Sequence, residues 1–452
     1  MAKLKVHFET FGCQMNVLDS ETAAERLAAN GFELAESAAL ADVIIFNTCS
    51  VREHAEERVY SRIGALKTLK QRKPELIIGV MGCMAQKDGA LVFRRAPRVD
   101  IVCGPKQESS LAALIAEAQA GRRILALDNG DRIRVRTKPP KDVAEVGQTP
   151  QAAAAFERTG STRPLPHRAY AAIMLGCDNF CSYCIVPYVR GPEESRPAEE
   201  IAEEVQRLAA DGVKEIILLG QNVNSYAGGL PALLRRIHDT AGLDRIRFVT
   251  SHPKDVSDEL LRAMAELPKV CGHLHAPAQS GSTAVLKRMN RRYTREHYLD
   301  MLDRARRIVP DIEIASDFIV GFPGETEEDF RQTIDLVRKA DFGQCYIFKY
   351  SPRTGSKAVE FADDVPDEIK KRRNNELLAV QEEISAGRNR EKHGKVLEVL
   401  VDGSSKNDPG KLAGRSRGND IVVFDGPQSL IGSITPVHIT DSTPLTLFGK
   451  EA

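Results

Sequence analysis

Gly176-Cys177-Asp178-Asn179-Phe180-Cys181-Ser182-Tyr183-Cys184 stands directly behind the apolar run Ala169–Leu175. A short apolar run closed by glycine reads as a buried strand. The loop that leaves it carries a C-x3-C-x2-C pattern. Three thiolates at this spacing hold three irons of a four-iron cluster and leave the fourth iron open to substrate. Structural zinc is the alternative, but it takes four closed ligands, commonly from two paired C-x2-C elements. No second pair occurs here, and no His lies at finger spacing after Cys184.

The strand–helix rhythm continues downstream. Strands are expected at Ala169–Leu175, Glu215–Leu219, Arg245–Thr250, His273–His275, Glu313–Val320 and Phe342–Tyr350. Helices are expected at Pro197–Asp211, Val256–Leu267, Arg295–Ile308 and Glu327–Lys339. Six strands, with helices between several of them, predict a partial (β/α)6 barrel with its active site at the strand C-termini. Upstream, the runs Lys5–Phe11, Asp42–Asn47, Leu76–Met81 and Val99–Val102 alternate with helical stretches Asp19–Asn30 and Glu53–Gln71. That alternation predicts a doubly wound parallel sheet, making the fold class α/β.

Residues 121–165 lose the rhythm and carry prolines and an Ala run. They read as a basic linker with one hairpin over Ile124–Thr137. Asp367–Glu391 is a charged helix leading out of the barrel. After Gly394 the pattern turns all-β (Lys395–Val401, Asp420–Phe424, Leu430–Ile439) and predicts a small barrel of the oligonucleotide-binding kind. The domains are thus expected at 3–120, 166–387 and 388–451, with the linker at 121–165. A chain of 452 residues has room for three.

Lys+Arg 63 against Asp+Glu 63 gives net zero charge, which excludes a polybasic binder. Any nucleic-acid contact must come from a local basic patch. No secretory h-region and no membrane-length apolar run occur, so a soluble, cytoplasmic protein without membrane contact is expected. Nine cysteines in such a chain point to metal or redox chemistry rather than disulfides.

Cys13, Cys49 and Cys83 are far apart, yet each follows an expected strand. In an open parallel sheet the strand C-termini share one edge, where ligands bind. A second iron–sulfur cluster and three separately packed thiols are equally open readings of these residues. Cys103, also behind an expected strand, reads either as a fourth ligand or as a packed thiol. Cys271 and Cys345 read as core.

The triad after the first barrel strand resembles the radical S-adenosylmethionine (SAM) superfamily. That likeness implies that Cys177, Cys181 and Cys184 hold a [4Fe-4S] cluster whose open iron binds SAM, with Tyr183 beside the adenine. Thr10-Phe11-Gly12-Cys13-Gln14-Met15-Asn16, Asn47-Thr48-Cys49-Ser50-Val51-Arg52 and Gly82-Cys83-Met84-Ala85-Gln86 resemble the amino-terminal domain of the methylthiotransferase family. There the likeness implies a second, auxiliary [4Fe-4S] cluster on Cys13, Cys49 and Cys83, without Cys103. Gln14-Met15-Asn16 stands where the ribosomal-protein branch has Pro-Lys-Asn, so the likeness runs to the tRNA branch.

Gly220, Gln221 and Asn222 end the second barrel strand, where the superfamily binds the methionine part of SAM. A Gly turn and loop-satisfying amides are the plainer reading. Gln279 and Ser280, and Asp317 inside an apolar run, are further SAM candidates. Asp317 is costly to bury unpaired. His275-Ala276-Pro277-Ala278 departs from the family, where larger aliphatics flank the proline, so looser packing beside the pocket is expected. The carboxy-terminal region resembles TRAM, an RNA-binding β-barrel, with Lys411, Arg415 and Arg417 as candidate phosphate contacts. An ordinary charged turn is the plainer reading of these three.

The resemblance implies transfer of a methylthio group to carbon 2 of N(6)-dimethylallyladenosine next to the tRNA anticodon. SAM is then both methyl donor and radical source. The implied partners are the tRNA anticodon loop, a low-potential electron donor such as flavodoxin or ferredoxin, and a sulfur source for the auxiliary cluster. Two rivals stand beside this reading. One is a methylthiotransferase for threonylcarbamoyladenosine tRNA or a ribosomal protein. The other is a non-catalytic tRNA-binding iron–sulfur protein.

Overall fold

The computed structural model describes residues 3–50, 53–128, 138–146 and 163–452. The chain divides into two units. The first takes the chain up to Pro164 together with Met174–Arg196 and Arg353–Lys357. The second takes Leu165–Ile173, Pro197–Pro352 and Ala358–Ala452.

Strands β1 (Lys5–Phe11), β2 (Glu33–Leu34), β3 (Val43–Thr48), β4 (Ile77–Met81), β5 (Ile101–Cys103), β6 (Arg123–Ala126) and β7 (Val143–Glu145) form one sheet of the first unit. All its pairings are parallel, in the order β2-β1-β3-β4-β5-β6-β7. Strands β3 and β4 are buried at every position, as central parallel strands with both faces covered must be. Helices α1 (Gln14–Ala29), α2 (Glu53–Ala65), α3 (Lys67–Arg72), α4 (Cys83–Asp88), α5 (Leu91–Arg95) and α6 (Leu111–Gln119) connect them. One apolar layer joins Ile44, Phe46 and Ile78 to Val59 and Phe93, and the other joins Ile45 and Ile101 to Leu27 and Ile115. The sheet is therefore doubly wound, as expected.

The expected linker begins with structure: β6 and β7 extend the sheet, because Ile124 and Leu125 are apolar enough to pair with β5 and cover its layers. Arg123–Ala126 is thus a parallel strand and not half of a hairpin. Residues 129–137 of that expected hairpin lie outside the described residues, as do Val51 and Arg52 of the second cysteine motif. A two-residue antiparallel pair, β9 (Met174–Leu175) with β10 (Glu194–Ser195), brackets the cysteine loop, and α7 (Val186–Val189) lies between them.

In the second unit, β8 (Arg168–Ala172), β11 (Glu215–Leu219) and β12 (Arg245–Phe248) form one parallel triplet. Strands β13 (His273–His275), β14 (Glu313–Val320) and β15 (Gln344–Lys349) form another. A parallel bridge pairs Ile246 of β12 with Val270, just ahead of β13, and the two triplets together hold the six expected strands. Helices α8 (Ala198–Ala210), α9 (Leu230–His238), α10 (Asp258–Glu266), α11 (Thr283–Arg288), α12 (Arg295–Ile308) and α13 (Glu327–Ala340) flank them; α14 (Asp367–Arg390) follows. Thr326 and Asp329 form a reciprocal capping box at the start of α13, whose first turn is acidic and last turn basic.

Strands β16 (Val396–Ser404), β17 (Leu412–Ser416), β18 (Ile421–Asp425), β19 (Ile434–Ser442) and β20 (Leu447–Glu451) close a barrel in the order β16-β17-β18-β20-β19. Its interior is Val399, Val401, Leu412, Val422, Phe424, Val437, Ile439 and Leu447. Among the described residues no helix is long and apolar enough to cross a membrane.

Candidate active site

In the first unit the strand order reverses between β1 and β3, which run side by side although β2 lies between them in sequence. Such a switch point opens a crevice at the strand C-termini. Cys13 follows β1, Cys49 follows β3 and Cys83 follows β4, the next strand along, so all three leave the same sheet edge.

Two glycines let these loops approach. Gly12 has φ +144°, and a Cβ there would lie 2.5 Å from Cys49 Cβ. Gly82 has φ +92°, and its Cβ would lie 2.3 Å from Asn47 Oδ1. The space they leave holds a buried amide pair. Asn16 Nδ2 donates to Asn47 Oδ1 at 3.0 Å, while Asn47 Nδ2 donates to the Asn16 carbonyl at 2.9 Å and to Ser20 Oγ at 3.0 Å. The pair locks the Cys13 loop to the Cys49 loop, and Cys13 Sγ donates to Asn16 Oδ1 at 3.2 Å. A hydrogen bond with Cys49, helped by the charge of Arg190, lowers the thiol of the exposed Cys13 to about 6, although partial desolvation acts the other way. Burial pushes the Cys83 thiol up, against the pull of Arg190.

The triad segment is built differently. Cys177 N–H donates to the Gly191 carbonyl at 3.2 Å and Cys184 N–H to the Cys181 carbonyl at 2.9 Å, so the loop folds on itself. Asn179 Nδ2 donates to Cys177 Sγ at 3.4 Å. Burial raises the Cys177 thiol. Although this loop was expected within the barrel domain, Met174–Arg196 belongs to the first unit. The reason is packing: Ile185, Val189 and Tyr188 cluster on Cys83. Arg190, only 5% exposed, donates from Nε to Cys83 Sγ at 3.3 Å and grips Asp19 with both terminal nitrogens, at 3.3 and 2.5 Å.

All nine cysteines are free. Among the described residues no three His, Cys, Asp or Glu side chains gather around a single ion. A four-iron cluster makes no such demand, since each thiolate takes its own corner iron. Soft thiols, with a cation against one of them, suit an iron–sulfur group. Cys103, the last residue of β5, is packed into the apolar layer with Ile45, Ile101 and Ile115, and burial raises its thiol.

The remaining candidates divide. Gly220 is buried and Gln221 half-buried at the end of β11. Asn222 is engaged in closing its loop, with Nδ2 on Asp255 at 3.0 Å and Oδ1 accepting from His252 N–H at 3.0 Å. Ser280 Oγ accepts from Ser282 N–H at 3.2 Å and meets Thr333 Oγ1 at 3.4 Å in a buried turn. Gln279, beyond the end of β13, holds φ +70° and forms a parallel bridge with Phe318. Asp317 is neither buried nor unpaired: its Oδ1 lies 3.1 Å from His275 Nε2, and both side chains are partly exposed. Spacing gave no hint of His275. Around Pro277 the backbone is held by two tyrosines: Tyr298 OH donates to the Ala276 carbonyl at 2.7 Å and Tyr293 OH to the Ala278 carbonyl at 2.8 Å.

Arg415 and Arg417, the other expected phosphate contacts, both bond within the fold. Arg415 lies on strand β17, half-buried, with Nη1 on the Asn419 carbonyl at 3.0 Å. Arg417 Nη2 donates to the carbonyls of Pro268 at 2.6 Å and Val270 at 2.9 Å. From β12, Arg245 donates to the carbonyls of Arg415 and Glu398, and Arg247 to those of Ser416 and Arg417. The Arg247 fork is aimed by Glu215. Burial alone would raise that carboxyl, but Arg247 and Arg168, each 2.7 Å away, hold it low. These arginines fasten the small barrel to β12. Lys411 is the member of the trio on the surface, 3.7 Å from Asp425.

Family comparisons agree with this layout. The Radical SAM superfamily matches residues 172–337, the Uncharacterized protein family UPF0004 matches 5–104, and the TRAM domain matches 390–450. The fold resembles that of a radical S-adenosylmethionine methyltransferase from Kitasatospora setae, with TM-score 0.54 and 17% identity over 77% of this chain and 73% of the other. The class is thus a radical SAM protein with an added amino-terminal sheet and a TRAM barrel. A tRNA-2-methylthio-N(6)-dimethylallyladenosine synthase of Syntrophomonas wolfei is 47% identical over 99% of this chain and 97% of its own length. That of Carboxydothermus hydrogenoformans is 43% identical over 99% of both. The chain belongs to the family of the tRNA-2-methylthio-N(6)-dimethylallyladenosine synthases.

Proposed function

We propose that this chain adds a methylthio group to carbon 2 of N(6)-dimethylallyladenosine next to the anticodon of tRNA. The observation that carries the reading is the coexistence of a thiol triad on one loop with three more thiols on one sheet edge, Cys83 packed directly by the segment that follows the triad. Cys177, Cys181 and Cys184 would hold one [4Fe-4S] cluster, and Cys13, Cys49 and Cys83 the other. Bound together with SAM, these groups supply the one-electron cleavage and the methylated sulfur that the reaction needs.

The chain's own residues orient and shield. The Asn16–Asn47 pair fixes the distance between the first two thiol loops, and Ile185, Val189 and Tyr188 exclude water from the Cys83 sulfur. Gly220, Gln221, Asn222, Gln279, Ser280 and Asp317 are proposed to receive SAM, with His275 orienting the Asp317 carboxylate. Lys411, Arg415 and Arg417 are the proposed phosphate contacts of the TRAM barrel. The reaction calls for a low-potential electron donor of the flavodoxin or ferredoxin kind and a sulfur source, and it belongs in the cytoplasm, where tRNA is.

The test is mass spectrometry of tRNA nucleosides after anaerobic incubation of reconstituted protein with SAM, reductant and tRNA bearing N(6)-dimethylallyladenosine. The methylthio nucleoside is expected. SAM cleavage without it, or modification only of threonylcarbamoyladenosine, sinks the reading.

A further inference from the structure

We infer that Arg190 is a positioning residue that raises the reduction potential of the cluster on Cys13, Cys49 and Cys83, acting through the Cys83 sulfur. The inference rests on the ligand assignment proposed above. Its basis is the division of the guanidinium's donors. Asp19 takes both terminal nitrogens, at 3.3 and 2.5 Å, and thereby fixes the plane of the group; the remaining Nε–H points at Cys83 Sγ, 3.3 Å away.

A structural ion pair needs only the first two contacts. The third places a charged donor on one ligand sulfur, in a site where Arg190 is 5% and Asp19 8% exposed, so solvent and salt screen it little. Adding one electron makes an iron–sulfur cluster more negative, and hydrogen bonds and positive charge at its sulfurs favour that reduced form. Arginine suits the task because its planar fork can be pinned by a carboxylate while a further N–H stays directed. Lysine, a point charge with rotatable donors, keeps the charge but loses the aim. Arg190 sits six residues after Cys184, so the loop that carries the triad delivers the group that tunes the other three thiols.

The experiment uses the full chain carrying Cys177→Ala, Cys181→Ala and Cys184→Ala, reconstituted anaerobically, so that only the amino-terminal cluster can form. Iron content and the midpoint of the one-electron couple are measured by spectroelectrochemistry, and the reduced state is checked by electron paramagnetic resonance. The background should retain about four irons. Adding Arg190→Met should lower the reduced-to-oxidised ratio at fixed potential about tenfold, which for one electron is about 59 mV. Arg190→Lys should fall between the two. Asp19→Asn should shift the midpoint the other way, because the guanidinium charge is then unbalanced.

Full iron content with unchanged midpoints overturns the inference while leaving the ligand assignment intact. If the Arg190 variants hold no iron, Asp19→Asn decides: an upward shift supports the inference and an unmoved midpoint overturns it. A background that binds no iron overturns the ligand assignment, and the inference with it.

Discussion

Cys177, Cys181 and Cys184 share one loop, whereas Cys13, Cys49 and Cys83 come from three strand ends held together by a sheet. The first set gets its geometry from local backbone bonds, such as Cys184 N–H on the Cys181 carbonyl. The second gets it from strand order, two glycines with positive φ and a buried amide pair. A loop can lose a neighbour and keep its shape. An assembled edge depends on every strand that builds it. The two thiol sets should therefore fail in different ways.

The largest effect is expected from breaking the local set. Cys177→Ala, Cys181→Ala and Cys184→Ala together should abolish SAM cleavage, measured as 5′-deoxyadenosine, while iron falls from about eight to about four. If cleavage persists, the two sets are not divided as proposed. Next comes the assembled set. With Cys13→Ala, Cys49→Ala and Cys83→Ala, SAM cleavage should continue and the methylthio nucleoside should vanish from tRNA. Loss of both, with the first cluster intact by iron analysis, would merge the two roles.

Gly82→Ala sharpens the contrast at the level of backbone. It places a Cβ 2.3 Å from Asn47 Oδ1 at φ +92°. We expect a cost of about 1–3 kcal/mol in denaturant unfolding and reduced iron in protein that lacks the triad. An unaltered transition midpoint would mean that the edge adapts as freely as a loop. The smallest effect is chemical. In metal-free protein, iodoacetamide should label Cys13 first, since its thiol lies near 6 and is exposed, with a rate rising as pH passes upward through about 6. Buried Cys103, whose thiol is raised, should stay unlabelled until unfolding; equal rates at the two sites would contradict the described packing.

The barrel strands Glu215–Leu219, His273–His275 and Glu313–Val320 were legible to the residue, because each is an apolar or alternating run cut off by turn residues. Strands β17 and β20 were not. Leu412–Ser416 and Leu447–Glu451 carry Gly and charge amid few apolar residues, and they become strands because a closed barrel pairs them on both sides. The contacts that Arg415 and Arg417 make with carbonyls of their own fold were out of reach of the sequence for the same reason. The signal for Arg190 was absent, since a lone arginine after a cysteine loop has no periodicity that marks what it meets.

The sequence by itself determined the triad, the strand–helix rhythm and the six barrel strands, because those depend on contacts within the reach of a few residues, about 3.3–3.6 Å each. Tertiary structure alone decided that β1 and β3 lie side by side at a switch point, that Arg190 meets Cys83 and Asp19, and that Arg417 meets Pro268 and Val270. Strand order, register and the direction of a buried guanidinium are settled by which distant surfaces can be covered and which distant carbonyls need donors. No spacing along the chain encodes that.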